Sequence, residues 1–267
     1  MTAATDDAPV RVSVEDGIAV LVLAMPTRRN ALSAALVGAC LDALGQPPVR
    51  AARALVLAGD GPAFCAGADI GDLLGAGWLT ANPLGPTPMD LFEAIHRDPR
   101  PVIAAATGLV LGGGFELTLC CDLVVAAADA VFAFPEIAHG VMPNTGLLLL
   151  GSLIGPRRAL ELVLTRRRLA AAEAFAVGLA SSVEPPEATR PAAIALARRI
   201  VTGAPPTAIA AAKRSMRHGS SDIDWAFVRA SLAHLSPAEW QEGLHAFTQR
   251  RQPDYDPFWR NHAAGNV

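Results

Sequence analysis

The sequence predicts an α/β protein whose C-terminal part is helical. Three observations carry that expectation. The units strand, glycine turn and helix recur several times before residue 140. After Gly140 the apolar spacing becomes helical. After Gly203 no strand pattern remains, and Pro205-Pro206 marks a join. With 267 residues and 52% apolar side chains, the chain can bury a large core. We therefore expect a core unit over residues 1–203 and a helical region over 204–267, joined near Gly203.

The elements follow in order. Val10 to Val14 and Ile18 to Leu23 read as a hairpin across Glu15-Asp16-Gly17. Ser33 is an N-cap candidate for a helix to Gly45, with Leu36, Cys40, Leu41 and Leu44 on one face. Ala54 to Leu57 and Pro101 to Ala106 are short buried strands ended by glycine turns. A helix starts near Gly113 and runs to Cys121, followed by strands Leu123 to Ala126 and Val131 to Phe134. Helices are expected over Gly146 to Ile154, Arg157 to Leu164, Ala170 to Gly178, Pro191 to Thr202, Thr207 to Arg217, Ile223 to Leu235 and Pro237 to Arg251. Gly75 to Pro88, rich in glycine and proline with Trp78 inside, reads as a mobile loop near the Ala68 turn.

Bulk chemistry narrows the function. Net charge is −3 and Lys213 is the only lysine, so no basic stripe marks a nucleic-acid binder. Cys40, Cys65, Cys120 and Cys121 show no CxxC spacing and no metal-ligand cluster, which suits reduced thiols in a cytoplasmic protein. Met1 to Val10 lacks a signal-peptide pattern, and the uncharged stretches are too short and too interrupted to span a membrane.

Two glutamates stand in unusual frames. Glu116 closes Gly112-Gly113-Gly114-Phe115-Glu116, and Glu136 closes Phe132-Ala133-Phe134-Pro135-Glu136. An isolated glutamate at position 116 is ordinarily an exposed helix residue, but Phe115, Leu117, Leu119 and Cys120 surround this one. A buried carboxyl without partners is costly, which favours a functional role. Two carboxyls can divide acid and base duties when their surroundings separate their pKa values. Small-residue turns, here Phe64 to Asp69 and Gly112 to Gly114, can aim backbone N–H groups at a developing oxyanion. The pattern points to carbonyl chemistry through an enolate.

Six blocks in order resemble the crotonase (enoyl-CoA hydratase/isomerase) family over nearly the full length. They are Arg29 to Ser33, FCAGADI at Phe64 to Ile70, Pro101 to Ala126, Phe132 to Pro143, and the trailing blocks Leu164 to Val183 and Glu242 to Tyr255. The resemblance implies a crotonase-like spiral of repeated ββα units with a C-terminal helical oligomerisation region, assembled as homotrimers that pair into hexamers. It implies Ala68 and Gly113 amides as the oxyanion donors. It makes Glu116 the base that activates water for attack at Cβ, and Glu136 the acid that protonates Cα of a trans-2-enoyl-CoA. Acyl-CoA is then the partner and substrate, with no other cofactor. The substrate contacts implied are Arg29, Ala31, Ala66, Asp69, Ile70, Gly112 and Asn144, with Arg28 and Arg29 as candidate phosphate contacts and Arg250 and Arg251 reaching a neighbouring subunit's ligand.

Asn144-Thr145-Gly146 departs from the glycine-rich run usual in the family, and its side chain introduces bulk and a donor near the water. An isomerase or other acyl-CoA lyase, or a non-catalytic acyl-CoA binder, is the competing expectation. RNA binding, known among some relatives, would need a basic helix, and Ser33 to Gly45 holds no lysine or arginine. His139 is given no role.

Overall fold

The computed structural model describes residues 8–79, 83–220, 223–231, 236–255 and 257. Strands β1 (Val10–Glu15) and β2 (Ile18–Leu23) pair antiparallel across a tight turn. Asp16 and Gly17 both take positive φ there, as a turn matched to strand twist requires. Helix α1 (Ala34–Gly45) starts where expected: the Ser33 hydroxyl accepts from the Leu36 amide at 3.2 Å. A single turn, α2 (Pro47–Arg50), leads to β3 (Ala54–Gly59).

The next stretch holds elements the sequence hides. Strand β4 (Ala63–Cys65) and helix α3 (Ile70–Gly75) flank the FCAGADI turn, and α4 (Pro88–Arg97) follows with a Thr87–Asp90 capping box. Then come β5 (Val102–Ala106), β6 (Leu109–Leu111), α5 (Gly113–Cys120), β7 (Leu123–Ala127) and β8 (Val131–Ala133). Helices α6 (Asn144–Ile154) and α7 (Pro156–Thr165) precede β9 (Leu169–Ala170), α8 (Ala171–Ala176) and β10 (Ser182–Glu184). The chain continues as α9 (Pro186–Gly203), α10 (Pro206–Ser220), α11 (Trp225–Ser231) and α12 (Pro237–Thr248).

Two sheets form. The larger has the order β1-β2-β3-β5-β7-β10 and is parallel except for the first hairpin. The smaller has the order β4-β6-β8-β9, with β4, β6 and β8 parallel and β9 antiparallel at the edge. The main core lies under one face of the large sheet and encloses α1, α4 and α5. The opposite face is covered by α9 through Ala193 and Ala197. Mixed α/β layers of this kind agree with the expected fold class, and helices close the C-terminal part.

Several expectations change. Helix α9 begins at Pro186, not Pro191, and Pro191 sits inside it. Its apolar stripe against the sheet lies after Pro191, through Ala193 and Ala197, and the first turn from Pro186 precedes it with a proline at N1, where no N–H is needed. Only Trp225–Ser231 of the expected helix Ile223 to Leu235 is seen, and residues 232–235 lie outside the described part. Trp78, placed by sequence in a mobile loop, is buried, while residues 80–82 of that segment lie outside the described part. Trp225 and Trp240 on the C-terminal helices are buried, and Trp259 lies outside the described residues.

Candidate active site

The site forms at the C-terminal ends of the three parallel strands in the smaller sheet, where ligands gather in parallel sheets. Ala66-Gly67-Ala68 follows β4, Gly112-Gly113 follows β6, and Pro135-Glu136 follows β8. Gly67 and Gly112 both take positive φ, and a β-carbon on Gly67 would stand 3.0 Å from the Leu111 carbonyl oxygen. The first two turns therefore touch. A β-carbon on Gly113 would stand 3.4 Å from the Ala68 nitrogen, so the Ala68 and Gly113 amides are neighbours. Neither amide has an acceptor among the described residues, and Gly113 opens α5, where free N–H groups favour negative charge.

Asn30 fixes this arrangement from behind. It is fully buried, donates to the carbonyls of Asp60 (2.9 Å) and Ala63 (2.8 Å), and accepts from the Met25 amide at 2.8 Å. Arg29 and Asn30 both adopt left-handed backbone, which turns the Arg29 carbonyl onto the Ala66 amide at 2.9 Å. Asn30 was visible in the Arg29 to Ser33 block, yet only its contacts reveal that it clamps the Ala68 turn.

Glu116 is buried on α5. Its Oε1 accepts from the Gly146 amide at 2.8 Å, and the Thr145 amide also faces it from the start of α6. Burial pushes its carboxyl up to about 7, while those two amides pull the other way. Gly146 has no room for a side chain: a β-carbon would meet the Phe134 ring at 2.5 Å and Glu116 Cγ at 3.1 Å. Phe134 is itself locked by stacking on Phe115 at 4.4 Å. The fully buried Thr145 hydroxyl beside these groups has no partner among the described residues.

Glu136 stands opposite. Its stem is half-buried, but both carboxyl oxygens are enclosed and meet no donor among the described residues. A β-carbon on Gly112 would lie 2.7 Å from Glu136 Oε1, which places this carboxyl against the Gly112-Gly113 turn. Burial raises its pKa well above the ordinary range, and the nearby charge of Glu116 adds to the rise. The two acids are thus electrostatically coupled. Glu136 keeps its proton more firmly: two amides from α6 favour the Glu116 anion, whereas only its own backbone amide favours that of Glu136.

A cavity of about 690 Å³ joins these groups. Arg29, Ala31, Ala66, Ala68, Asp69 and Ile70 line it, as do Gly112, Gly113, Glu116, Glu136 and Asn144. Arg28 lines it too and pairs with Asp69 at 2.5 Å, while Asp69 also caps α3 through the Asp72 amide. The Asn144 side chain turns from the glutamates and donates to the Val228 carbonyl, so the donor expected near the water is committed elsewhere. Arg251 pairs with Glu242, and neither Arg250 nor Arg251 lines this cavity. His139, left without a role by sequence, does line it. No cluster of potential metal ligands occurs among the described residues, and no described helix is long and apolar enough to cross a membrane.

The geometry can be set beside known proteins. A family profile described as enoyl-CoA hydratase/isomerase matches residues 13–257. The chain is 34% identical to the crotonyl-CoA hydratase of Syntrophomonas wolfei over 90% of this chain and 95% of that one. It is 34% identical to a putative enoyl-CoA hydratase of Thermus thermophilus over 91% and 100%. Among solved structures, carnitinyl-CoA hydratase from Mycobacterium avium aligns with a TM-score of 0.78 at 30% identity, covering 94% and 99% of the two chains. A methylmalonyl-CoA decarboxylase complexed with 2S-carboxypropyl-CoA aligns with a TM-score of 0.79 at 26% identity, covering 92% and 97%. The chain belongs to the enoyl-CoA hydratase/isomerase family.

Proposed function

We propose that this enzyme is a hydro-lyase that adds water across the 2,3 double bond of a trans-2-enoyl-CoA, giving a 3-hydroxyacyl-CoA. The observation that carries the proposal is the pairing of two enclosed, coupled carboxyls, Glu116 and Glu136, beside two unpartnered amides. The hydratase names of the relatives support it.

In the proposed reaction the thioester oxygen lies between the Ala68 and Gly113 amides. One water sits between the carboxyls. Glu116, the more readily ionised acid, takes a proton from it as oxygen attacks Cβ. The electron pair moves to the thioester oxygen as an enolate held by the two amides. Glu136 then gives its proton to Cα, and proton exchange between the acids and solvent restores the starting state. Each amide contributes about 2.7–4 kcal/mol to the barrier reduction. The chemistry calls on no metal or redox cofactor. Arg28 and Arg29 are proposed contacts for the coenzyme A phosphates at the cavity mouth, with the Ala31, Ala66 and Ile70 backbone along the pantetheine.

We also propose a homotrimer or a pair of trimers. Support comes from Leu148, Leu153, Leu160 and Leu164 on α6 and α7, which are 42–59% exposed. The reaction is tested by incubating the protein with crotonyl-CoA and following loss of enoyl absorbance. Conversion of a 3-enoyl-CoA with crotonyl-CoA left untouched would replace hydration with isomerisation.

A further inference from the structure

The cavity extends beyond the glutamates into a pocket walled by apolar side chains, among them Leu73, Met89, Val141, Met142 and Leu244. Two polar side chains interrupt that wall. His139 sits three residues after Glu136 with its ring edge-on to Phe247 at 5.1 Å. It is half-buried, its imidazole has no hydrogen-bond partner among the described residues, and unlike Trp78 its nitrogens are not fully enclosed. Trp78 is 3% exposed, and its Nε1 is enclosed with no acceptor among the described residues. Enclosed polar groups are seldom left unmet, since each costs free energy unless a protein group, water or ligand pairs with it.

The electrical character of the pocket narrows the ligand. Burial, then the charge of Arg166, holds the His139 pKa below its ordinary value, so the imidazole is neutral at pH 7 and offers one donor and one acceptor. The cations lining the cavity are Arg28 and Arg29, which stand with Asp69 on the FCAGADI side, and Arg28 is paired. Arg166, whose charge reaches His139, does not line the cavity, so a carboxylate buried beside His139 would find no cation in the wall to pair with. A hydroxyl could accept from Trp78 Nε1 and donate to His139, and a carbonyl could accept from either.

We propose, on the hydratase reading above, that the acyl subsite takes chains carrying a neutral oxygen substituent remote from the thioester, hydrogen-bonded by His139 and Trp78. These two residues would select the substrate and take no part in proton transfer.

The test uses saturated acyl-CoAs of matched length, bearing an alkyl, a hydroxyl or a carboxylate end, titrated calorimetrically into the intact protein. The proposal expects the hydroxyl chain to bind about tenfold tighter than the alkyl chain, the worth of one good hydrogen bond. In His139→Phe and Trp78→Phe that preference should fall away. Equal affinity for hydroxyl and alkyl chains, tightest binding of the carboxylate, or a preference that survives both substitutions would overturn it. Because the wild-type comparison decides alone, misfolding of a variant does not rescue the idea. Turnover of crotonyl-CoA by the same preparation reads the reaction separately: a hydroxyl preference without turnover retires the hydratase reading and leaves the subsite standing.

Discussion

Glu116 and Glu136 are chemically alike, and their surroundings make them different. Two amides at the start of α6 face Glu116, whereas only its own backbone amide favours the Glu136 anion. The account predicts a bell-shaped dependence of kcat/KM on pH. The rising limb should fall near 7, as Glu116 ionises, and the falling limb should lie higher, as Glu136 loses its proton. A profile flat from pH 5 to 9 would refute this ordering.

The same shifts have a stability consequence. A carboxyl whose folded pKa is raised binds its proton more tightly in the native state, so its contribution favours folding below the unfolded pKa. That contribution is lost as pH rises from the ordinary carboxyl value to about 7. Glu116→Gln should therefore be more stable than wild type at pH 8, by roughly 1–3 kcal/mol, with the gap closing at pH 5. Denaturant titrations at the two pH values check this, and a variant less stable at pH 8 than at pH 5, relative to wild type, would contradict it. The presence of two acids was legible in the sequence because each sits in an apolar frame. The cause of their unequal proton affinity was not, since it depends on amides thirty residues further along the chain.

At the scale of elements, the site is three turns at three adjacent strand ends, two of them bearing glycine and the third Pro135-Glu136. Gly112 combines a positive φ with a carboxyl where its side chain would be. Gly112→Ala should therefore push Glu136 aside and lower kcat by on the order of 10²-fold, with smaller effect on KM. Steady-state kinetics on a variant with native circular dichroism provides the check, and wild-type kcat would count against the geometry. The helices α1 and α5 were readable from a cap and a glycine run. Strands β4 and β6 were not, because each is three residues set between glycine-bearing turns, which read as continuous loop. Trp78 was misplaced for a related reason: flanking glycine and proline advertise a loop, and only its packing reveals that the indole is covered.

At the scale of the whole molecule, the last helices are tied to the core by a charge cluster. Lys213 on α10 bonds the Arg100 carbonyl and pairs with Asp122, which Arg217 also approaches at 3.8 Å. Burial lowers the Lys213 pKa and raises that of Asp122, so desolvation exceeds the attraction within the pair. The cluster thus fixes where α10 docks more than it stabilises the fold. Lys213→Met, which leaves Asp122 with Arg217 as its one nearby cation among the described residues, should cost about 2–3 kcal/mol in chemical denaturation. An unchanged midpoint would show that α10 docks by packing alone. Nothing in the sequence joins position 213 to position 122, because the link is made only by the way α10 folds back. The α/β core, by contrast, was legible from repeated strand and glycine signals close along the chain.

We propose that Glu116 and Glu136 work as one unit on a single water. This is tested most directly by crotonyl-CoA hydration in Glu116→Gln, Glu136→Gln and the double variant. We expect each single change to lower kcat by roughly 10²–10⁴-fold, and the double variant to fall little further, because groups acting together are not additive. Near wild-type kcat in either single variant would contradict the account.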